Sequence, residues 1–189
     1  IPIAEEFLLT VRRSLENLPD TVIYFQIPET SRILEHCAFE DIYYEHCAYF
    51  TPGSLGRLFR RCAFDVHKLG VEYDDQYLTI EAKPSVGTPS PALSVEDDLA
   101  TSALQVRTFE QRNAQIKANW QAVVKDAKHR GETVALWGSG SKAVSFLTTL
   151  GLGDDIDAVV DINPHRHGHY MPITSQKIIG PNELVEVDP

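Results

Sequence analysis

Between Asp41 and Ser54 the chain reads Asp-Ile-Tyr-Tyr-Glu-His-Cys-Ala-Tyr-Phe-Thr-Pro-Gly-Ser, which places two carboxylates, one histidine and three tyrosines within nine residues. Tyr43, Glu45 and His46 can each exchange or orient a proton, His46 most readily because imidazole titrates near neutrality. Thr51-Pro-Gly-Ser54 reads as the entry to a helix, and a loop ahead of a rigid element is where such groups are usually presented. The same residue types also build hydrogen-bonded structure, so composition leaves both readings open.

A second stretch, Thr133-Val-Ala-Leu-Trp-Gly-Ser-Gly-Ser-Lys-Ala143, runs from a strand through a glycine turn into a helix and matches G-x-G-x-x-A. Gly138 permits the tight turn and Gly140 lets the backbone approach a phosphate at the helix N-terminus, with Ser141 and Lys142 in its first turn. Ala143 allows close packing of helix on strand. The next strand, Asp157–Asp161, ends in an acid 23 positions beyond Gly138, near where a ribose-binding carboxylate falls in dinucleotide folds. Glycines also serve such turns for geometry alone.

Other suggestive groups read more plainly. His165-Arg-His-Gly-His169 alternates three histidines, but without accompanying carboxylates or cysteines it is expected to be an exposed loop and not a metal site. Arg107, Arg112, Lys117 and Lys142 could neutralise a diphosphate, yet cations on a polar helix are commonly a solvated face. Trp120 and Trp137 are expected in the core.

Elements must position these groups. Apolar residues at Phe7, Leu8, Val11 and Leu15 predict a helix from Ala4 to Leu18. Thr21–Ile27 predicts a strand covered on both faces, ended by Pro28. Residues 29 to 40 predict a short helix, and Thr51-Pro52 an N-cap and first turn for a helix burying Leu55, Leu58 and Phe59. Phe64–Glu72 and Tyr77–Ala82 predict an antiparallel hairpin. Lys83–Pro91 holds three prolines and a glycine in nine residues and predicts a linker. A helical pattern then runs from Ser94, where Ser94 and Asp97 suggest a capping box, to His129, with Gly131 as the stop.

The 189 residues suffice for one sizeable domain or two small ones, and the 43% hydrophobic content is ordinary for a globular protein. A net charge of −10 is shared along the chain, with 8 cations against 14 anions through residue 90 and 9 against 13 beyond; this argues against nucleic-acid binding. Cys37, Cys47 and Cys62 are odd in number and form no C-x-x-C pair, which fits free thiols in a cytoplasm. Neither a leader nor an 18-residue apolar run is present, so no membrane span is expected.

Together, Asp41–Thr51, Val134–Ala143, Val160-Asp-Ile-Asn-Pro164 and Gly168-His-Tyr-Met-Pro172 make the chain resemble the latter half of the bacterial sugar C-methyltransferases. These are S-adenosylmethionine-dependent enzymes acting on nucleotide-linked 4-keto deoxysugars. The resemblance implies an α/β fold: the closing part of a class I methyltransferase sheet in residues 1–83, a linker in 84–93, and a Rossmann-like sugar-nucleotide-binding domain in 94–189. It implies adenosylmethionine as methyl donor of the complete enzyme, held by a loop absent from this stretch, and zinc only in an N-terminal module also absent. Tyr43, Glu45 and His46 then fall at the reacting sugar carbon, and Gly138, Gly140, Ser141, Lys142 and Asp161 become substrate-binding residues. Ile173 and Ser175 depart from the family, whose members tend to carry glycines there.

Two alternatives remain from the residues themselves. An NAD(P)-dependent oxidoreductase would use the glycine turn, although the 28 residues after Asp161 are too few to complete a doubly wound sheet. A noncatalytic nucleotide-binding module is the other.

Overall fold

The computed structural model describes residues 1–88 and 90–187; Pro89 in the proline-rich segment and residues 188–189 lie outside them. Twelve helices and strands follow one another as α1 (Ala4–Ser14), β1 (Ile23–Pro28), α2 (Thr30–His36), α3 (Pro52–Arg61), β2 (Phe64–Glu72), β3 (Tyr77–Pro84), α4 (Leu99–His129), β4 (Ala135–Trp137), α5 (Ser141–Leu150), β5 (Ala158–Val160), β6 (Ile178–Ile179) and α6 (Leu184–Val187). They pack as two units, one of Ile1–His36 with Glu45–Phe109, the other of Cys37–Tyr44 with Glu110–Pro189. No helix among the described residues is long and apolar enough to cross a membrane.

In the first unit, β3 lies between β1 and β2 and is antiparallel to both, so β1 and β2 run parallel to each other. The hairpin expected from β-branched and aromatic runs is present. Its turn places Tyr73, Asp74 and Asp75 in the left-handed region. β1 is not covered on both faces as expected: Tyr24 and Gln26 face solvent while Phe25 packs inward. A chain of aromatic contacts, Phe7 to Phe25 to Phe59 to Phe64, with centroids 6.0, 5.5 and 5.7 Å apart, joins α1, β1, α3 and β2 around the core. Helix α1 stops at Ser14, short of Leu18, and the segment expected to be one helix over 29–40 is α2 followed by a single tight turn at Phe39–Asp41.

Helix α3 begins as the sequence dictates. The Thr51 hydroxyl accepts from Ser54 N–H at 3.3 Å, Ser54 Oγ accepts from Thr51 N–H at 2.8 Å, and Pro52 opens the first turn. Its glycines serve a close approach: a Cβ on Gly53 would collide with the Asp98 carboxylate and the Glu96 carbonyl, and one on Gly56 with the Glu96 side chain.

Those contacts alter the reading of the proline-rich segment, which is anchored and not a loose connector. Arg60 donates to Ser90 O at 2.7 Å, and Ser90 N–H donates to Asp65 Oδ1 at 2.9 Å. Arg60 also grips Glu96 through two bonds of 2.8 and 3.2 Å. Glu96, not the expected Ser94–Asp97 pair, turns back to accept from Leu93 N–H at 2.9 Å, and α4 begins only at Leu99. A linker is legible from its prolines; the polar anchors that fix it are scattered over 36 residues and form no local pattern.

The second unit is a β4–α5–β5 element with β6 added, its three strands parallel in the order β4-β5-β6. Leu147, Leu150, Leu152, Val159 and Met171 are fully buried in its core, together with Val124 of α4. Part of this core comes from residues 37–44. Phe39 stacks on Phe146 at 6.0 Å, Asp41 pairs with Lys142 Nζ at 2.8 Å, and Ser145 Oγ donates to the Ile42 carbonyl at 3.3 Å.

Candidate functional site

Gly138 ends β4 with φ +103°, a conformation that L side chains rarely adopt, and its N–H donates to Val160 O at 2.6 Å. The chain then reaches Gly140, the N-cap of α5, which has no side-chain cap. Space above Gly140 is open, the nearest atom to a Cβ built there being Arg166 Nη1 at 4.0 Å. A cleft of about 520 Å³ opens over this turn, lined by Gly138, Gly140, Ser141, Lys142 and Tyr43, with Trp120, Trp137 and Phe146 as aromatic walls. Backbone amides at a helix N-terminus suit an anion; Lys142 beside them is paired with Asp41, and Glu40 lines the cleft as well.

Both tryptophans depart from expectation. Trp137 is 61% exposed and Trp120 46%. The signal that could have placed Trp137 is its position: it is the last residue of a parallel strand before a glycine turn, the end at which ligands bind in open α/β sheets.

Asp161 is positioned but not presented to the cleft. Its Oδ2 accepts from the Ser139 hydroxyl and, at 2.9 Å, from Ser139 N–H, while Oδ1 accepts from Asn163 N–H at 2.8 Å. Arg166 Nη1 donates to Asp161 Oδ2 at 3.2 Å and to Ser139 Oγ at 3.1 Å. Ser139 foremost, then the Asn163 and Ser139 amides and the Arg166 charge, hold the carboxyl at about 2 against an ordinary 3.8, burial opposing them. This carboxylate clamps the glycine turn.

A folded-state value below the unfolded one means the stabilisation is complete above pH 4 to 5 and is lost as the pH falls towards 2. Asp161→Asn is therefore expected to lower stability by about 1 kcal/mol at pH 7 after solvent screening, and by progressively less below pH 4. Thermal midpoints of both proteins from pH 7 to pH 2.5 measure it; a constant difference would contradict the assignment.

The histidine run is a largely exposed loop whose His167 Nε2 donates to the Asp161 carbonyl at 2.7 Å, while Gly168 N–H donates to Ile178 O and Ile178 N–H to His169 O, each at 2.8 Å. Among the described residues no group of three His, Cys, Asp or Glu side chains could hold a metal ion. Beyond it, Ile173 and Ser175 adopt φ +72° and +63°, so the loop keeps a conformation suited to glycine while carrying side chains. For a β-branched residue this strain is on the order of 1–2 kcal/mol. Ile173→Gly, at an 83% exposed position, is expected to raise the thermal midpoint by about 2–4 °C in a calorimetric scan.

Of the proton-handling candidates, Tyr43 belongs to the second unit and half-buried lines its cleft. Glu45 and half-buried His46 belong to the first unit. There both are among the residues lining a largely apolar pocket of about 180 Å³ that includes Phe7, Phe25, Phe50 and Phe59. His46 makes an edge contact with Tyr49 at 6.3 Å.

The model of the C-methyltransferase C-terminal domain matches residues 85–189. The chain is also similar to the C-methyltransferase NovU of Streptomyces niveus, 26% identical over 176 residues that make up 87% of this chain and 41% of that relative. It thus spans about two fifths of the relative's length. The family match takes in more than half of the chain, the parallel sheet and glycine turn of the second unit among it, and the chain belongs to the C-methyltransferase C-terminal domain family.

Proposed function

We propose that the chain is part of an S-adenosylmethionine-dependent C-methyltransferase that deprotonates the carbon beside a keto group of a nucleotide-linked deoxysugar and methylates it. The observation carrying this is the reach of the similarity. It covers 87% of the chain, well beyond the family domain of residues 85–189, so the first unit shares in it. The strand order supports the same reading, since an antiparallel strand inserted between two parallel ones is how a hairpin closes a mainly parallel sheet. By kinship, residues 1–83 are assigned to the end of the methyltransferase domain, 84–93 to the connection, and 94–189 to a Rossmann-like nucleotide-sugar domain.

In this proposal His46 removes the proton from the sugar carbon and Glu45 orients the imidazole. The Tyr43 hydroxyl donates to the keto oxygen as enolate charge develops, and the carbanion so formed takes the methyl group. Glu45 as the base is the variant tested below. Gly138, Gly140, Ser141 and Lys142 are assigned to the diphosphate end of the substrate, with Asp161 holding their turn.

The described residues of the first unit do not fit an adenosylmethionine site. β1 passes through Pro28 and Glu29 straight into α2 without a glycine turn, and the Glu29 carboxylate accepts from Ser31 and Arg32 N–H at 2.8 and 2.6 Å. The donor supplies an electrophilic methyl group; no residue described here is assigned to holding it.

The test is methyl transfer by an intact enzyme carrying this sequence, using a nucleotide-linked 4-keto deoxysugar and donor labelled in the methyl group. Label on the carbon beside the ketone is the expected outcome. Label absent from the sugar, or reduction of the ketone with NADPH instead, would overturn the proposal.

A further inference from the structure

We propose that Asp41 is a positioning residue for the methyl-transfer reaction: held by Lys142, it fixes the Tyr43 hydroxyl where enolate charge develops. This rests on the reading of Tyr43 as the donor to the keto oxygen and adds what keeps that donor in place.

The stretch that carries Tyr43 is fastened to one helix of its own unit. Phe39 stacks on Phe146, Asp41 pairs with Lys142 Nζ at 2.8 Å, and Ser145 Oγ donates to the Ile42 carbonyl at 3.3 Å. Lys142, Ser145 and Phe146 stand three and four positions apart, so all three attachments fall on one face of α5. They end at Ile42, one residue short of Tyr43. The neighbours of Tyr43 add little burial of their own, Ile42 being 43% exposed and Tyr44 89%. The unit to which this stretch belongs takes it no further than Tyr44. The direction in which Tyr43 leaves the helix surface is therefore set upstream, by Phe39 to Ile42.

Stability alone does not account for the ion pair. Asp41 is 5% exposed while the Lys142 side chain is 51% exposed. A carboxylate is thus taken out of water for a partner that stands half in it, an exchange that comes close to breaking even. Lys142 also lies in the first turn of α5, where a cation opposes the helix dipole. What a charge-assisted hydrogen bond supplies, and an apolar contact does not, is direction. A ring can slide on the ring it stacks against; a carboxylate bonded to an ammonium is held to a point. Two apolar residues here would bury the turn as well and leave Tyr43 less sharply aimed. With half its surface open, Lys142 can hold Asp41 and still face a diphosphate, so the test is built on Asp41.

The experiment is a double-mutant cycle in the intact enzyme carrying this sequence, with kcat and the KM for the nucleotide-linked keto sugar measured separately. Asp41→Asn keeps the size and loses the charge; because a shift of about 1 Å in a reacting group can cost on the order of 100-fold, it is expected to lower kcat about tenfold with KM within about twofold. Lys142→Met is expected to lower kcat by a similar factor, the two losses failing to add when combined, and Lys142→Arg to stay within about threefold of the parent. In a Tyr43→Phe background, Asp41→Asn is expected to cost less than about twofold more, since its effect passes through the phenol. Should Asp41→Asn not fold, Lys142→Met, altered at a half-exposed side chain, carries the same comparison. A merely structural pair would lower the thermal midpoint and give the same loss of kcat with or without the Tyr43 hydroxyl. That result, or full kcat in folded Asp41→Asn where Tyr43→Phe is impaired, would overturn the positioning role and leave the functional reading intact. Full turnover in Tyr43→Phe would overturn the role of Tyr43 in that reading and the positioning role with it.

Discussion

His46→Asn in an intact enzyme is expected to lower turnover by roughly 100-fold or more, the usual contribution of a positioned general base, while adenosylmethionine binding stays the same. Asn keeps a polar side chain of similar size but cannot carry a proton between carbon and solvent. Exchange of the sugar's acidic proton with deuterated water, followed without the methyl donor, should fall in parallel, because that exchange needs deprotonation alone. Glu45→Gln separates the two assignments. If Glu45 orients the imidazole, its loss is expected to cost about tenfold; if Glu45 is the base, it should match or exceed the loss at His46. Unchanged exchange in His46→Asn would remove His46 from the mechanism.

Arg60→Leu is expected to cost about 3–5 kcal/mol, the usual result of stranding one partner of a buried ion pair. Glu96 is 3% exposed in its side chain, and it is the hub that ties α3 to the segment leading into α4. Burial by itself pushes the Glu96 carboxyl up. The Arg60 hydrogen bonds, the Leu93 amide and the charges of Arg60 and Arg57 outweigh burial and hold it below its ordinary value. In the parent this stabilisation is present above the ordinary carboxylate pKa and lost as the pH falls through the lowered one. Without Arg60, burial dominates and the carboxyl rises above its unfolded value, so its contribution should be lost as pH increases. Urea midpoints across pH 4 to 8 would register both the loss and the reversed slope. A parallel Arg60→Leu/Glu96→Leu variant is expected to recover part of the stability, since it leaves no buried charge.

Local chemistry made much of the architecture readable. The Thr51-Pro52 cap, the hairpin of β2 and β3, the helical run before Gly131, which the pattern left as one helix or two, and the β4–α5–β5 turn all follow from spacing, capping and the conformational freedom of Gly138. The failures share a cause. Trp137 was expected inside because indole is apolar, yet its exposure is set by a cleft assembled from residues as far apart as Tyr43 and Phe146. The clamp that Asp161 makes on the glycine turn was hidden as well, because its partners Ser139 and Arg166 only become neighbours on folding. The stretch from Asp41 to His46 reads as one motif, although its first residues pack with one unit and its last with the other. Sequence proximity could not reveal that division.

That division has a kinetic consequence. The second unit's core is completed by Phe39, 107 positions ahead of the Phe146 ring on which it stacks, so its closure requires a loop spanning most of the chain. Such high contact order slows folding. During synthesis Phe39 emerges long before its partner and must wait, exposed, until α5 is made. A gene divided at the proline-rich segment would yield a C-terminal piece whose core lacks one of its own plugs. Restoring it in trans with a peptide of residues 37–44 should then be a bimolecular, concentration-dependent step. The start of the matched family domain at Ser85 and the division of the packed units, which gives residues 37–44 to the second, thus do not coincide.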